Sequence, residues 1–211
     1  MAIRTVMQYP RDKFYLLRQT APVNEEAITT QSSFLRILIN DLMETCTAYD
    51  GAGIAAPQIG SRLRVFVAHF PIYDEEGNVT GQTDYQEFIN PVIEEMGELV
   101  PGFDGCLSIG GIFTAESLRP SSIKISYNKL GSNERVSEYM EGMHARIVHH
   151  EVDHLNGILF PQRLPNLDSI FAHSGSSPED TVFYRDAKER FKRLHLEDLR
   201  SLVLQLVEVE E

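Results

Sequence analysis

The spacing of apolar residues along the chain separates helical segments from extended ones. Over residues 31–46 the apolar side chains recur at steps of three and four, which predicts an amphipathic helix that Ser32 or Ser33 caps. The helical period returns over residues 141–155, and Asn156-Gly157 supplies a C-terminal stop. We therefore expect one helix in each of these segments.

Alternation of polar and apolar residues predicts strands between these two helices. Residues 62–68 alternate in this way, and residues 119–128 end in a second alternating stretch that turns through 129–133 into 134–140. The acidic, glycine-containing stretch 74–85 predicts an exposed loop or hairpin tip. Short strands mixed with two or three helices, without regular alternation of strand and helix, predict an α+β fold.

The C-terminal part of the chain has a different character. Residues 164–177 are rich in Pro, Asn, Asp, Ser and Gly, which predicts a loop, and a charged helix is expected over 179–195. Residues 203–209 alternate in part and predict a final strand or a helix end. We therefore divide the chain into a main domain, 1–165, and a C-terminal extension, 166–211, that packs on the same domain.

Composition and charge narrow the class of protein. The chain has 211 residues, which predicts one domain, and its net charge is −12. Its acidic pI of 5.0 argues against a protein that coats nucleic acid, and we expect no direct DNA binding. No apolar run approaches the ~18 residues of a membrane span, and the N-terminus lacks a signal peptide's apolar core. Two cysteines are too few for a disulfide scaffold and favour a reducing compartment, the cytoplasm.

The histidines are unevenly distributed along the chain. Four of the seven lie between residues 144 and 154, and His150-Glu151-Val152-Asp153-His154 has the H-E-x-x-H form. On a helix His150 and His154 project from one face and can bind one ion. Glu151 flanks that face and suits a base for water activated by the metal. The alternative is a charged helix face that contains two structural histidines.

A catalytic metal site needs a third protein ligand. The metzincin spacing continues after His154 but ends at Phe160 where that family has its third histidine, which disfavours the metzincins. Cys106 is the stronger candidate because it lies in a turn of small residues, Asp104-Gly105-Cys106-Leu107-Ser108. Cys46 is the alternative, but it follows an apolar helix, where a free cysteine more often packs in the core.

Three motifs, taken together, resemble those of the peptide deformylases. In chain order they are Gly51-Ala52-Gly53-Ile54-Ala55-Ala56-Pro57-Gln58-Ile59-Gly60, Asp104-Gly105-Cys106-Leu107-Ser108 and His150-Glu151-Val152-Asp153-His154-Leu155-Asn156-Gly157. Their order and spacing agree with the family, and the resemblance covers roughly residues 5–162.

This resemblance implies a fold, a reaction and a metal site. The fold would be antiparallel sheets packed around the central H-E-x-x-H helix. The reaction would be hydrolysis of the N-formyl group from the initiator methionine of nascent peptides, with release of formate. Cys106, His150 and His154 are expected to hold one divalent metal ion per chain, Fe²⁺ physiologically and Zn²⁺ or Ni²⁺ in some preparations. Glu151 is expected to activate water and shuttle its proton.

The resemblance also implies which residues contact the substrate. The side-chain amide of Gln58 and the backbone N–H of Leu107 are expected to stabilise the oxyanion of the tetrahedral intermediate. The residues expected to line the path of the formyl-methionyl peptide are Gly53, Ile54, Gly105 and Met143. Of these, Met143 would help to form the methionine pocket.

The chain departs from the family pattern at three places. Asp104 stands where the family has glutamate, so a contact beneath the Cys106 loop is expected to move or be lost. His149 replaces the usual glutamine, and it projects 100° from His150, which favours a supporting or structural role. The segment 109–113 lacks a proline and an arginine often seen there, so we expect the outer peptide-binding surface to differ.

Two hypotheses concern charged residues outside the motifs. Arg119 stands where the family carries an arginine, and we expect it to pair with Asp153. Residues 185–195 carry five basic and two acidic side chains, a local charge of +3. This segment predicts either a solvated helix or a contact with the ribosome.

Two other functions are alternatives to deformylation. The chain could be a metallohydrolase of the same fold that acts on another N-acyl amine, or a non-catalytic deformylase-like protein that binds ribosomes or nascent chains. The presence of Glu151, Gln58 and all three expected metal ligands favours the enzyme.

Overall fold

The computed structural model describes residues 2–109, 113–165, 170–173 and 191–193. The prediction of a final strand or helix end over 203–209 lies outside these ranges. Within them, no helix has both the length and the apolar character that crossing a membrane requires.

Short helices and antiparallel strands make up the described part of the chain. The α-helices are α1 (Lys13–Leu16), α2 (Glu25–Thr29), α3 (Ser33–Ala48) and α4 (Gly142–Asn156), and two short 3-10 helices cover Ala56–Ile59 and Phe160–Arg163. The strands are β1 (Gly53–Ala55), β2 (Val65–Ala68), β3 (Pro71–Tyr73), β4 (Val79–Gln82), β5 (Gln86–Met96), β6 (Leu99–Gly105), β7 (Phe113–Pro120), β8 (Ser122–Asn128), β9 (Arg135–Glu141), β10 (Ile170–His173) and β11 (Phe191–Arg193).

The two helices expected from the apolar spacing are α3 and α4. The hydroxyl of Ser32 accepts a hydrogen bond from the Leu35 N–H at 3.4 Å and so caps α3. Helix α4 ends at Gly157, whose φ of 77° is the left-handed conformation that glycine adopts without a Cβ clash. Both helices and both end signals are therefore confirmed.

A five-stranded antiparallel sheet lies between α3 and α4, in the order β1-β2-β5-β8-β9. Its second strand, β2, is buried on both faces. Val65 and Val67 pack in one core cluster with the apolar residues of α3, whereas Phe66 and Ala68 pack in another with those of α4. Because successive side chains of a strand point to opposite faces, each face of the sheet carries one helix.

A second antiparallel sheet, in the order β11-β10-β7-β6, lies on the other side of α4. Strand β6 pairs with β7 from Leu99 to Gly105, and Cys106 follows directly after the last pair. The end of this hairpin therefore brings the cysteine turn to the polar face of α4.

The structure also corrects two sequence-based expectations in the C-terminal part. The predicted loop over 164–177 is wrong at Ile170–His173, because these residues form β10 and pair with β7. The predicted helix over 179–195 is wrong at Phe191–Arg193, which form β11 and pair with β10. Pairing with an existing sheet edge overrides local preference in both cases. The stretch 74–85 contains the predicted hairpin tip, which joins β3 to β4.

Candidate metal centre and active site

Helix α4 presents an apolar face to the five-stranded sheet and a polar face to β6 and β7. The apolar face is formed by buried residues that belong to one core cluster: Ala145, Val148, Val152 and Leu155. The polar face carries Arg146, His150 and His154, each a helical turn after the one before. Burial of the apolar face fixes the rotation of the helix and therefore the direction of the two histidines.

Cys106, His150 and His154 converge on one point, and all three are buried. Their potential ligand atoms all lie within 4.8 Å of one another. Nε2 of His154 lies 3.1 Å from Nε2 of His150 and 3.2 Å from Sγ of Cys106. Ligand atoms around a tetrahedral ion of the Zn²⁺ type lie about 3.3–3.6 Å apart, so the two separations from His154 are close to those that one ion requires.

Asp104 holds His150 in the orientation that a ligand needs. Its Oδ1 lies 2.7 Å from Nδ1 of His150, which leaves Nε2 of the imidazole directed at Cys106 and His154. Although burial lowers the pKa of His150, the Asp104 carboxylate raises it above its ordinary value. The expected loss of a contact beneath the cysteine loop is therefore not observed at Asp104.

Arg119 lies fully buried beneath this site and joins two carboxylates. Its Nε lies 2.5 Å from Asp104 Oδ2, and its Nη1 lies 2.8 Å from Asp153 Oδ2, as hypothesised from the sequence. Nη1 also lies 2.6 Å from Nδ1 of His149. His149 therefore contacts Arg119 and does not belong to the Cys-His-His group, in agreement with the supporting role expected of it.

The metal-ligand candidate His154 and the neighbouring Glu151 each carry a buried polar atom without a hydrogen-bond partner in the described ranges: Nδ1 of His154 and Oε2 of Glu151. Burial lowers the pKa of His154 well below its ordinary value, which favours the neutral imidazole that metals bind. Burial raises the pKa of Glu151 to about 7. A carboxyl group with such a pKa can both take up and give up a proton near neutral pH.

Gln58 lies beside Cys106 at the end of a chain of hydrogen bonds. Its Oε1 accepts from the Ala55 N–H at 2.8 Å, so the amide is oriented with its NH₂ towards the cysteine. The Nε2 atom lies 3.8 Å from Cys106 Sγ and 3.2 Å from Ser108 Oγ. The side chain is buried, and its donor therefore faces the candidate metal centre.

The remaining residues expected at the substrate lie around these groups. A Cβ on Gly53 would lie 2.8 Å from Glu151 Oε1, so β1 passes directly over the glutamate. Ile54 is buried in the same strand, and Leu107 follows Cys106 in the turn after β6. Gly105 ends β6, whereas Met143 lies two turns before His150 on α4.

Cys46 lies apart from the metal-ligand candidates. It is fully buried with the apolar residues of α3, and its thiol donates to the Gly51 carbonyl at 3.0 Å. Burial raises its pKa to about 12, so the thiol stays protonated. Its predicted role in core packing is confirmed.

Known proteins with related sequences decide the family. The sequence profile described as polypeptide deformylase matches residues 3–169. The chain belongs to this family. The peptide deformylase of Thermus thermophilus is 34% identical over 186 residues, which are 85% of this chain and 92% of that protein. The peptide deformylase of Cytophaga hutchinsonii is 41% identical over 128 residues, which are 60% of this chain and 67% of that protein.

Solved deformylase structures share the fold. The class I type b peptide deformylase of Acinetobacter baumannii, with Met-Ala-Ser bound, is 32% identical, with a TM-score of 0.68 over 77% of this chain and 99% of that chain. The Thermotoga maritima peptide deformylase is also 32% identical, with a TM-score of 0.64 over 79% of this chain and 100% of that chain. The predicted α+β fold is therefore confirmed. This deformylase is a metal-dependent hydrolase that acts on formyl-methionyl peptides.

Sequence reasoning did not identify two polar residues next to this site. Arg146 is buried on α4 one turn before His150, and its Nη1 lies 3.2 Å from Ser117 Oγ. Ser117 in turn donates to Asp104 Oδ2 at 2.8 Å. The helical spacing of Arg146 from His150 was the available signal, because residues four apart share a helix face.

Proposed function

We propose that Cys106, His150 and His154 hold one divalent metal ion at which this deformylase cleaves the formyl amide. The convergence of one thiolate and two imidazole nitrogens within 4.8 Å carries this proposal. When bound, such an ion supplies Lewis-acid chemistry and a nucleophilic water at neutral pH. Asp104 would orient His150, and the buried Arg119 would keep the Asp104 carboxylate charged.

Glu151 acts as the proton shuttle. It takes a proton from the attacking water and passes it to the amine that leaves, so that formate and a free peptide N-terminus result. Its burial and its pKa of about 7 support this assignment, because the same group must act first as a base and then as an acid. Its free Oε2 is available for that water.

The oxygen of the formyl group gains negative charge when water attacks the carbonyl carbon. The Gln58 amide and the Leu107 N–H are the donors that stabilise this charge. Gln58 suits the task because its Oε1 is already held by the Ala55 N–H, so the donor is oriented before substrate arrives. The turn after Cys106 supplies the second donor.

The peptide lies along β1, which is the edge of the five-stranded sheet. An edge strand has backbone groups with which an extended peptide can pair. Gly53 allows close approach to Glu151 because it has no Cβ, and Ile54 follows it in the strand. Gly105 and Met143 line the path on the opposite side, with Met143 in the pocket for the first side chain.

Release of formate tests this function directly. We expect the wild-type holoenzyme to release formate from formyl-Met-Ala-Ser and Glu151→Ala to lose this activity while it retains one equivalent of metal. Glu75→Ala, in the exposed loop before β4, is the matched control and should retain full activity. A wild-type protein that holds metal but releases no formate would favour the non-catalytic alternative. Release from other N-acyl amines alone would favour the alternative hydrolase.

The physiological ion is proposed to be Fe²⁺. A site with one thiolate and two imidazoles accepts Fe²⁺, Zn²⁺ or Ni²⁺, so the donor set alone does not select among them. Metal analysis after anaerobic purification, with activity measured after reconstitution with each ion, tests this assignment. An enzyme that is isolated with zinc and is most active with zinc would contradict it.

The basic segment 185–195 is proposed as a ribosome contact. Only Phe191–Arg193 of this segment lies in the described ranges, and the proposal therefore rests on its local charge of +3 in a chain of net charge −12. Contacts with RNA phosphates weaken as salt rises. We expect salt-sensitive ribosome binding that Lys188→Glu with Lys192→Glu abolishes, whereas salt-insensitive binding or none would contradict the contact.

A further inference from the structure

Strand β6, together with Cys106 directly after it, lies beside helix α4, and their facing residues form three pairs. Cys106 faces His154, Asp104 faces His150, and Gly102 faces Arg146 through contacts of 3.2, 2.7 and 3.1 Å. Two residues along a strand advance about as far as four residues along a helix, about 6 Å. Every second residue of the strand segment can therefore face every fourth residue of the helix. The first two pairs belong to the metal centre, and the third pair continues the same row.

Gly102 has no side chain, and the Arg146 guanidinium occupies the space that this leaves. A Cβ on Gly102 would lie 2.5 Å from Nη2 and 2.7 Å from Cζ of Arg146, so a larger residue would displace the group. Arg146 Nη1 donates to the Gly102 carbonyl at 3.1 Å and to Ser117 Oγ at 3.2 Å, and Nη2 donates to the Val100 carbonyl at 3.0 Å. The strands therefore hold the guanidinium through backbone carbonyls and one hydroxyl.

The charge of Arg146 is not paired with a carboxylate. Among the described residues, no Asp or Glu oxygen lies within 4.0 Å of its guanidinium, in contrast to Arg119, which joins two carboxylates. These bonds leave the Nε–H and one Nη2 proton of the five guanidinium donors for another acceptor. The side chain is 8% exposed, so its charge is little screened by water.

Arg146 lies on the same side of α4 as the residue proposed for the pocket of the first side chain. Met143 and Arg146 are three residues apart and His150 follows Arg146 by four, so the three side chains form one stripe. A substrate whose formyl group lies at His150 and whose first side chain extends towards Met143 therefore passes Arg146. The stripe is therefore basic at Arg146.

We propose that Arg146 is a specificity-determining residue and that this deformylase accepts formyl peptides whose first side chain ends in a carboxylate. This inference rests on the proposed function, because it uses the same metal centre and the same direction of the peptide. A carboxylate would accept the remaining guanidinium hydrogen bonds and neutralise the charge. A cationic first side chain would be repelled.

The test compares formyl peptides that differ only in the first residue. We expect wild-type kcat/KM for formyl-Glu-Ala-Ser to lie within about tenfold of that for formyl-Met-Ala-Ser, and formyl-Lys-Ala-Ser to be a far poorer substrate. In Arg146→Met the glutamate peptide should lose about 10- to 150-fold relative to the methionine peptide, the range for a lost hydrogen bond to a charged group. Arg36→Met, on the exposed side of α3, is the matched control and should leave the ratio unchanged.

Two further variants separate charge from structure. Arg146→Lys keeps the charge and should keep most of the wild-type activity on the glutamate peptide relative to the methionine peptide. Arg146→Gln keeps hydrogen-bond donors without the charge and should lose this relative activity. The circular dichroism spectrum identifies the variants that fold, and the ratio is read from those. The inference would be overturned if the ratio of kcat/KM for formyl-Glu-Ala-Ser to that for formyl-Met-Ala-Ser were as low in the wild type as in Arg146→Met and Arg146→Gln.

Binding distinguishes failure of this inference from failure of the proposed function. If no peptide yields formate, catalysis as proposed is wrong. Calorimetry with Glu-Ala-Ser and Met-Ala-Ser then tests Arg146 alone, because it requires no turnover. The inference would be supported if Arg146→Gln bound Glu-Ala-Ser more weakly than the wild type does but bound Met-Ala-Ser equally well. It would be overturned if the affinity for Glu-Ala-Ser were the same in the wild type and in Arg146→Gln.

Discussion

The Oδ1 atom of Asp104 lies 2.7 Å from Nδ1 of His150. This contact determines which ring nitrogen of the histidine is free, and so directs Nε2 towards Cys106 and His154. Burial alone would disfavour the Asp104 carboxylate, but Arg119 and His150 hold its pKa well below the ordinary value. The carboxylate is therefore charged at neutral pH.

Asp104→Ala should weaken metal binding by about 10- to 100-fold, because the imidazole of His150 loses its orientation and basicity. Competition with a chromogenic chelator measures this affinity without any assay of activity. Asp84→Ala removes an exposed carboxylate and should leave the affinity unchanged. An unchanged affinity in Asp104→Ala would show that the 2.7 Å contact does not orient the ligand.

Arg119→Met should lower the free energy of unfolding by about 3–5 kcal/mol, because the buried Asp104 would lose its arginine partner and Asp153 would keep only Arg163. Arg119→Lys should recover only part of this loss, since an ammonium cannot reproduce the planar fork between two carboxylates. Urea unfolding of the apoprotein measures both. Arg11→Met, in an exposed pair with Asp12, is the control and should leave the stability nearly unchanged.

The metal-ligand histidines were predictable because their geometry is local. Helical spacing alone places His150 and His154 on one face, and the apolar residues between them fix which way that face points. The choice of Cys106 over Cys46 depends on a contact across 48 residues of sequence, between Cys106 after β6 and His154 on α4. The local pattern favoured Cys106, which lies in a turn of small residues, but it could not show this contact.

The contacts of Arg119 and Arg146 were harder to predict because they too join elements that are distant in sequence. Arg119 comes from β7 and Asp153 from α4, so their pairing was a hypothesis that only the packing of the two elements could test. Arg146 appeared to be one more polar residue of a charged helix, since nothing in the local pattern shows that Gly102 leaves space for it. Strands β10 and β11 depend on an edge supplied by β7, which lies far away in sequence.

Gln58→Ala should reduce kcat by about 10²–10³-fold and change KM much less, because the amide is needed where charge develops on the formyl oxygen. Metal content should stay at one equivalent, since Gln58 Nε2 is 3.8 Å from the Cys106 sulfur and is not a ligand. Steady-state kinetics on formyl-Met-Ala-Ser measure the change, with Gln82→Ala at an exposed position as the control. An effect confined to KM would assign Gln58 to peptide binding alone.

Asp41 should make the stability of the protein fall in acid. Burial opposes its ionisation, but the hydrogen bonds from Arg4 at 2.8 Å and from the Ala2 N–H at 2.7 Å lower its pKa below the ordinary value. The stabilisation is therefore complete above the unfolded pKa of about 3.9 and is lost as the pH falls through the lower folded pKa.

Asp41→Asn measures this contribution. The difference in unfolding free energy between wild type and Asp41→Asn should be constant above about pH 5 and shrink as the pH falls below about 4. Asp84→Asn, at an exposed position, is the matched control. A difference that grows in acid would contradict the assigned sign.

Gly53→Ala tests how closely β1 must pass the proton shuttle. An added Cβ would lie 2.8 Å from Oε1 and 3.0 Å from Cδ of Glu151, so the carboxylate must move away from its place beside the metal-ligand histidines. We expect kcat to fall by at least about tenfold, since small displacements of a catalytic group have large effects on rate. Gly81→Ala is the matched control, because nothing lies within 4 Å of its added Cβ.

The metal affinity of Gly53→Ala separates this effect from damage to the ligands. Cys106, His150 and His154 lie outside the contact, so chelator competition should give the wild-type value. The pH dependence of kcat should also change, because a displaced Glu151 no longer has the burial that raises its pKa to about 7. A Gly53→Ala variant with wild-type kcat and an unaltered pH profile would mean that β1 moves and Glu151 does not. Gly53 would then not be required for the position of Glu151.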